Sequence, residues 1–191
     1  MPIILKESGG GNSVPVGTHL AVCYRIVDMG VQPDTGFGEK HKLSISWEVP
    51  GETIVVDGKT LPMSISKTYT LSLNKKSVLR QDLSAWRGRD FTAEELAGFK
   101  LASILCKGCL ITVETNEAGK ARVSKVTSVM KGMTVPFPVN PPVEYSVEDG
   151  KNHTYRELPE WLKRACDQAI VHNAAPPAPP AAAGEPSDVP F

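Results

Sequence analysis

"SKTYTLSLNKKSVLRQDLSAWRG", Ser66 to Gly88, changes its period halfway along. Up to Ser72 the residues alternate: with the preceding "MSI", Met63, Ile65, Tyr69 and Leu71 fall opposite Ser64, Ser66, Thr68, Thr70 and Ser72, the pattern of a half-buried strand. Beyond Asn74, Leu79, Leu83 and Trp86 follow at i, i+4 and i+7, which is one face of a helix, and Gly88 sits where helices commonly end. The next segment, "FTAEELAGF", offers Thr92 as N-cap with Glu95 three residues on, a capping box for a second short helix.

Two strand patterns precede this switch. "THLAVCYRIVDMG" is read with Leu20, Val22, Tyr24 and Ile26 on one face, and "HKLSISWEVPG" sets Leu43, Ile45, Trp47 and Val49 against Lys42, Ser44, Ser46 and Glu48. Two more follow it, "CLITVET" and "ARVSKVTSV", joined by "NEAGK" with a glycine suited to a hairpin turn. Three strands, a helical insert and two strands predict a mainly β chain with the order of the OB-fold, a partly open five-stranded Greek-key barrel. An SH3-like barrel or a small sandwich fits the same order.

The barrel is expected over residues 1–132. From Met133 the texture changes to "MTVPFPVNPPVEYSVEDGKNH", whose prolines bar regular helix and remove ladder donors, so an extended arm is expected. "LPEWLKRACDQAIVHN" then predicts a C-terminal helix, with Pro159 in its first turn and Leu158, Trp161, Leu162, Ala165 and Ala169 packed on the barrel; arm and helix together span 133–172. Residues 173–191 are rich in Ala and Pro with little apolar bulk, and a disordered tail is expected there.

The formal net charge of +0 hides a split. Residues 1–132 carry 17 Lys and Arg against 13 Asp and Glu, and residues 133–191 carry 4 against 8. A mildly basic body with an acidic end suits a protein that meets phosphates with one part and a protein partner with the other. No apolar run approaches the ~18–20 residues of a membrane span, and "MPIILKESGGG" lacks the marks of a signal peptide, so no membrane association and a cytoplasmic location are expected.

No carrier for catalysis is visible. His19, His41, His153 and His172 lie scattered without HxxxH or HExxH spacing, and neither GxSxG nor a phosphate loop occurs. Cys106 and Cys109 form a lone CxxC that runs straight into a strand pattern, with no second ligand pair for zinc, so structural thiols are expected. No enzyme activity, catalytic residue, metal or cofactor is therefore expected.

Single-stranded nucleic acid is held through its phosphates by cations and through its bases by flat rings. The strands supply Lys40 and Lys42 near Trp47, Lys67 beside Tyr69, and Arg122 with Lys125; the helical insert adds Lys75, Lys76, Arg80, Arg87 and Arg89. These twelve are the candidate DNA contacts. Trp47 and Tyr69 share faces with apolar neighbours, so each reads either as core or as a stacking ring. Lys67 interrupts an apolar face between Ile65 and Tyr69, and its charge must reach a ligand, or solvent at a barrel rim.

The stretch Ser66 to Val113, about a quarter of the chain, resembles a bacteriophage family of OB-fold single-stranded DNA-binding proteins. The likeness lies in a K-x-Y-T-L-S-L strand, a K-S-x-L-R-x-D-L-x-x-W-R-G-R helix, an F-T-x-x-E-L turn and a short strand carrying a Cys. It implies binding of single-stranded DNA with little sequence preference during phage replication, recombination or repair. The last four residues, Asp188, Val189, Pro190 and Phe191, are similar to the acidic tip by which bacterial single-stranded DNA-binding proteins recruit replication and repair enzymes. Phe191 can fill an apolar pocket while its carboxylate and Asp188 meet basic groups. Only Glu185 and Asp188 supply acid in this tip, fewer than in the bacterial ones. The alternative is a scaffold module that acts through the tail without DNA; self-association is left open.

Overall fold

The computed structural model describes residues 13–34 and 38–170. The expected tail and its tip, Asp188 to Phe191, lie outside the described residues. In chain order the elements are β1 (Gly17–Asp34), β2 (Gly38–Val56), β3 (Lys59–Thr70), α1 (Val78–Arg87), α2 (Ala93–Ala97), β4 (Gly108–Thr115), β5 (Ala121–Thr127), β6 (Val143–Ser146), α3 (His153–Glu157) and α4 (Glu160–Asp167). Single 3-10 turns precede β4 and follow β6.

The molecule is mainly β, with the helices read from the sequence inserted between β3 and β4. One six-stranded sheet runs in the order β3-β2-β1-β4-β5, and β6 joins it by pairing with β1 in parallel. The other ladders are antiparallel. β3 and β5 end the sheet, which no ladder closes among the described residues. A side chain bridges the two ends instead: Lys67 Nζ on β3 donates to the carbonyl of Ser124 on β5 at 3.2 Å.

The core lies inside this curved sheet. Leu43, Ile45, Trp47 and Val49 of β2 point inward as their alternation requires, and Leu79, Leu83 and Trp86 of α1 close over them. α1 ends as expected on Gly88, in the left-handed conformation, and Thr92 forms the capping box with Glu95 that starts α2. A second cluster, Val27, Met29, Tyr145, Leu158, Leu162 and Cys166, packs α4 and β6 against the back of β1.

Three local expectations are corrected. In β1 the inward residues are Ala21, Cys23 and Ile26, because the register with β2 shifts between Cys23 and Arg25. Such a bulge inserts one residue and flips the phase of every side chain beyond it. The helix expected from Leu158 is α4, which starts after Pro159 and buries Leu162 and Cys166 while Trp161 stays 44% exposed, and an additional short helix, α3, precedes it. The Pro-rich stretch also contains a strand, β6, too short and too close behind Pro141 and Pro142 to show a period.

The arm before β6 crosses the outer face of the sheet. Gly108, Val22 and Glu48 form one row across β4, β1 and β2. Val135 lies so close over Gly108 that a Cβ there would meet its side chain at 2.5 Å. At the other end Glu48, 1% exposed, accepts the main-chain N–H of Val139 at 2.8 Å and of Asn140 at 2.6 Å, and the Asn140 side-chain amide. A buried carboxylate with three donors satisfies the rule that a charge leaves water only when paired.

Candidate functional site

The three arginines of the helical insert are held by its own carboxylates. Arg80, buried on α1, grips Asp90 through Nε and Nη2 and ties down the Leu73 carbonyl through Nη1 at 3.2 Å. Arg87 and Arg89 both bond Glu95, and the Arg87 guanidinium lies 4.6 Å from the Phe91 ring centroid and 5.1 Å from that of Phe99. Hydrogen bonds from Arg89, then from the Thr92 N–H and Arg87, hold the Glu95 carboxyl down at about 2; those from Arg80 and the Phe91 N–H hold Asp90 at about 2. Arg80 and Arg87 thus brace the insert, and Arg89 shares the brace from the surface.

The sign of the pH effect follows. A carboxyl depressed in the folded state adds stability above its ordinary value near 4.5, and that contribution is lost as pH falls towards about 2. Tryptophan fluorescence, read on Trp86 whose indole N–H donates to the Gly108 carbonyl at 2.8 Å, should therefore change as the pH falls through this window. A signal flat down to about pH 2 would contradict the brace.

Trp47 is corrected to core. It is 0% exposed and its ring centroid lies 6.1 Å from that of Trp86, so no base can reach it. Tyr69 is buried as well, and its hydroxyl donates to Asp82 at 2.8 Å. Burial, then the Asp82 charge, pushes the Tyr69 phenol far up, so it stays protonated. Lys67 bonds the same Asp82 oxygen at 2.7 Å. Lys67 and Tyr69 are neighbours, as the sequence suggests, but their first partner is a carboxylate of α1.

What the fold does bring together is a groove of about 680 Å³ at the end of β3 and the loop into α1. Lys42, Lys67 and Lys76 line it with Thr68, Thr70 and Ser72, and no acid is among its lining residues. Asp82 is set behind Lys67, on the α1 side. Lys75 is exposed next to Lys76. Lys125 is exposed on β5, one residue past the Ser124 carbonyl that Lys67 reaches. Arg122, on the same strand, faces Glu114 at 3.6 Å, and Lys40 stands half-buried on β2 opposite Gln32.

The cysteines serve the sheet. The Cys106 N–H donates to the Cys23 carbonyl at 2.8 Å and the Cys23 N–H to the Lys107 carbonyl at 3.1 Å, which extends the β1–β4 ladder past Gly108. Burial pushes the thiols of Cys23 and Cys109 up, so both are protonated and poor nucleophiles near neutral pH. Among the described residues no group of three His, Cys, Asp or Glu could hold a metal ion, and no helix is long and apolar enough to cross a membrane.

Sequence reasoning passed over Asp82, Glu48 and Phe137. Asp82 had a faint signal, a carboxylate three residues past Leu79 on the helix face turned to β3; Glu48 had none, since an alternating strand makes it look solvated. Phe137 was visible only as a lone ring between two prolines. Compared with known proteins, the chain matches no family model and no curated sequence.

Proposed function

We propose that the protein binds single-stranded DNA with little sequence preference, on an OB-fold-type barrel, in phage replication or recombination in the host cytoplasm. The observation that carries this reading is the lysine groove on the face shared by β2 and β3. Strands 2 and 3 of OB-folds form the face on which oligonucleotides lie, and the strand order and the position of the insert agree with that fold. Lysines give such a groove its hold on phosphates, and the hydroxyl-bearing floor is indifferent to base identity. The recruiting role of Asp188 to Phe191 is proposed from its sequence alone.

The test is fluorescence anisotropy of a labelled oligo-dT strand, with the matching duplex as competitor. With Lys67 held by Asp82, about two lysine–phosphate contacts give a slope of roughly −1.4 in log affinity against log salt, so raising salt from ~50 to ~200 mM should weaken binding about sevenfold. Displacement by duplex as readily as by single strand, or a flat salt response, would remove the reading. Lys76→Ala should flatten the slope by about 0.7.

A further inference from the structure

The outer face of β3 is a continuous uncharged strip. Thr60, Pro62, Ser64, Ser66, Thr68 and Thr70 share this face by alternation, and none carries a large or charged side chain. One end opens into the lysine groove through Thr68 and Thr70. The other end, through Thr60 and Pro62, opens into a second cavity of about 230 Å³ that Phe137 and Val139 of the arm also line. From Pro62 to Thr70 the strip runs about 26 Å at the rise of a β-strand.

Phe137 is the anomaly. It is 72% exposed, more than any other aromatic residue among those described, while the arm that carries it is fastened on both sides. Val135 is seated on Gly108, and Val139 and Asn140 are bonded to buried Glu48. Pro136 and Pro138 fix their own φ angles and bias the residues before them to extended backbone. A ring left in water on a segment this constrained gains nothing for folding. It is, however, the arrangement that lowers the ordering cost of binding a flat apolar partner.

Resting on the reading of the lysine groove as a single-strand site, we propose that Phe137 is the base-stacking platform of that site, and that the strand runs along the β3 strip from the groove end, with Lys42 and Lys76, to Phe137. The cations track phosphates at one end and the ring takes a base at the other, the two elements that sequence-tolerant binding combines. A path of about 26 Å accommodates a strand at the short end of the ~4–16 nucleotides an OB-fold holds.

The probes are a labelled dT12 strand and a strand of equal length that carries abasic sites throughout, measured with the full chain and with Phe137→Ala and Phe137→Trp. Phe137→Ala should bind dT12 roughly tenfold more weakly and the abasic strand as tightly as the wild type does. Phe137→Trp should keep the affinity and show fluorescence quenching on dT12 beyond that of the wild type. Because the side chain is exposed, Phe137→Ala should melt with the wild type. Equal binding of dT12 by wild type and Phe137→Ala overturns the proposal, and so does an equal loss for both strands, which would make the ring a structural support. If the wild type binds neither strand at low salt, the single-strand reading itself fails, a result distinct from failure of the ring.

Discussion

Replacing Trp47 with alanine should cost about 4 kcal/mol of stability, the scale for deleting a large buried aromatic, and leave oligo-dT affinity unchanged in the fraction that stays folded. For a chain of this size that lowers the thermal midpoint by roughly 8–16 °C. The indole sits on β2 between the sheet and α1, 0% exposed, with Trp86 as its aromatic neighbour, so its removal opens a cavity that α1 cannot collapse into without dragging Leu79 and Leu83 from their places. Trp47→Phe is the informative companion. The Trp47 indole N–H has no hydrogen-bond partner among the described residues, so phenylalanine removes an unpaired buried donor while it creates a smaller void. The opposing effects should leave a loss of about 1 kcal/mol. Urea or thermal unfolding followed by circular dichroism measures both variants, and anisotropy with oligo-dT follows binding. A Trp47→Ala protein that melts like the wild type yet no longer holds DNA would return Trp47 to the binding surface.

Trp47 also marks what the sequence could tell. Alternation along β2 placed it correctly beside Leu43, Ile45 and Val49, and the switch of period at Asn74 located the insert, because both signals are local and are set by one face in water and one out of it. β1 was misread because a bulge is a local exception to period two, and Ala and Cys at the inward positions 21 and 23 carried less apolar weight than Leu20, Val22 and Tyr24 around them. The site was less legible than the fold. Residue type tells that Lys67, Arg80 and Arg87 are cationic, but whether a cation meets phosphate or carboxylate depends on which distant acid folding brings to it. Asp82, Asp90 and Glu95 claimed those three, whereas Lys75 and Lys76, on the loop between β3 and α1, are exposed at the surface. Phe137 and Glu48 are 89 residues apart in the chain, and nothing local announces that one strand's glutamate fixes the arm that presents the ring.

The other large effect is expected at Asp82. Its carboxylate accepts from Lys67 Nζ at 2.7 Å and from the Tyr69 hydroxyl at 2.8 Å, while Lys67 also reaches the Ser124 carbonyl, so one acid on α1 holds the lysine that links both ends of a sheet that no ladder closes among the described residues. Lys67 and Asp82 are only 16% and 15% exposed. Asp82→Ala leaves a mostly buried ammonium and a buried phenol without their acceptor, which should cost about 3 kcal/mol and lower the thermal midpoint by roughly 6–12 °C. Amide hydrogen exchange should rise in β3 and β5 more than in β2, because the two end strands lose their tie to each other and the middle of the sheet does not. Lys67→Met added to Asp82→Ala should recover a large part of the loss, since two apolar groups leave only the Tyr69 hydroxyl to be satisfied and no stranded charge. In the double-mutant cycle the coupling between the two positions should exceed about 1 kcal/mol. An Asp82→Ala protein with the wild-type midpoint and unchanged exchange in β5 would show that packing of α1 alone holds the ends together. Lys67 would then be released to act as a groove cation, and Lys67→Ala should weaken oligo-dT binding as much as Lys76→Ala does.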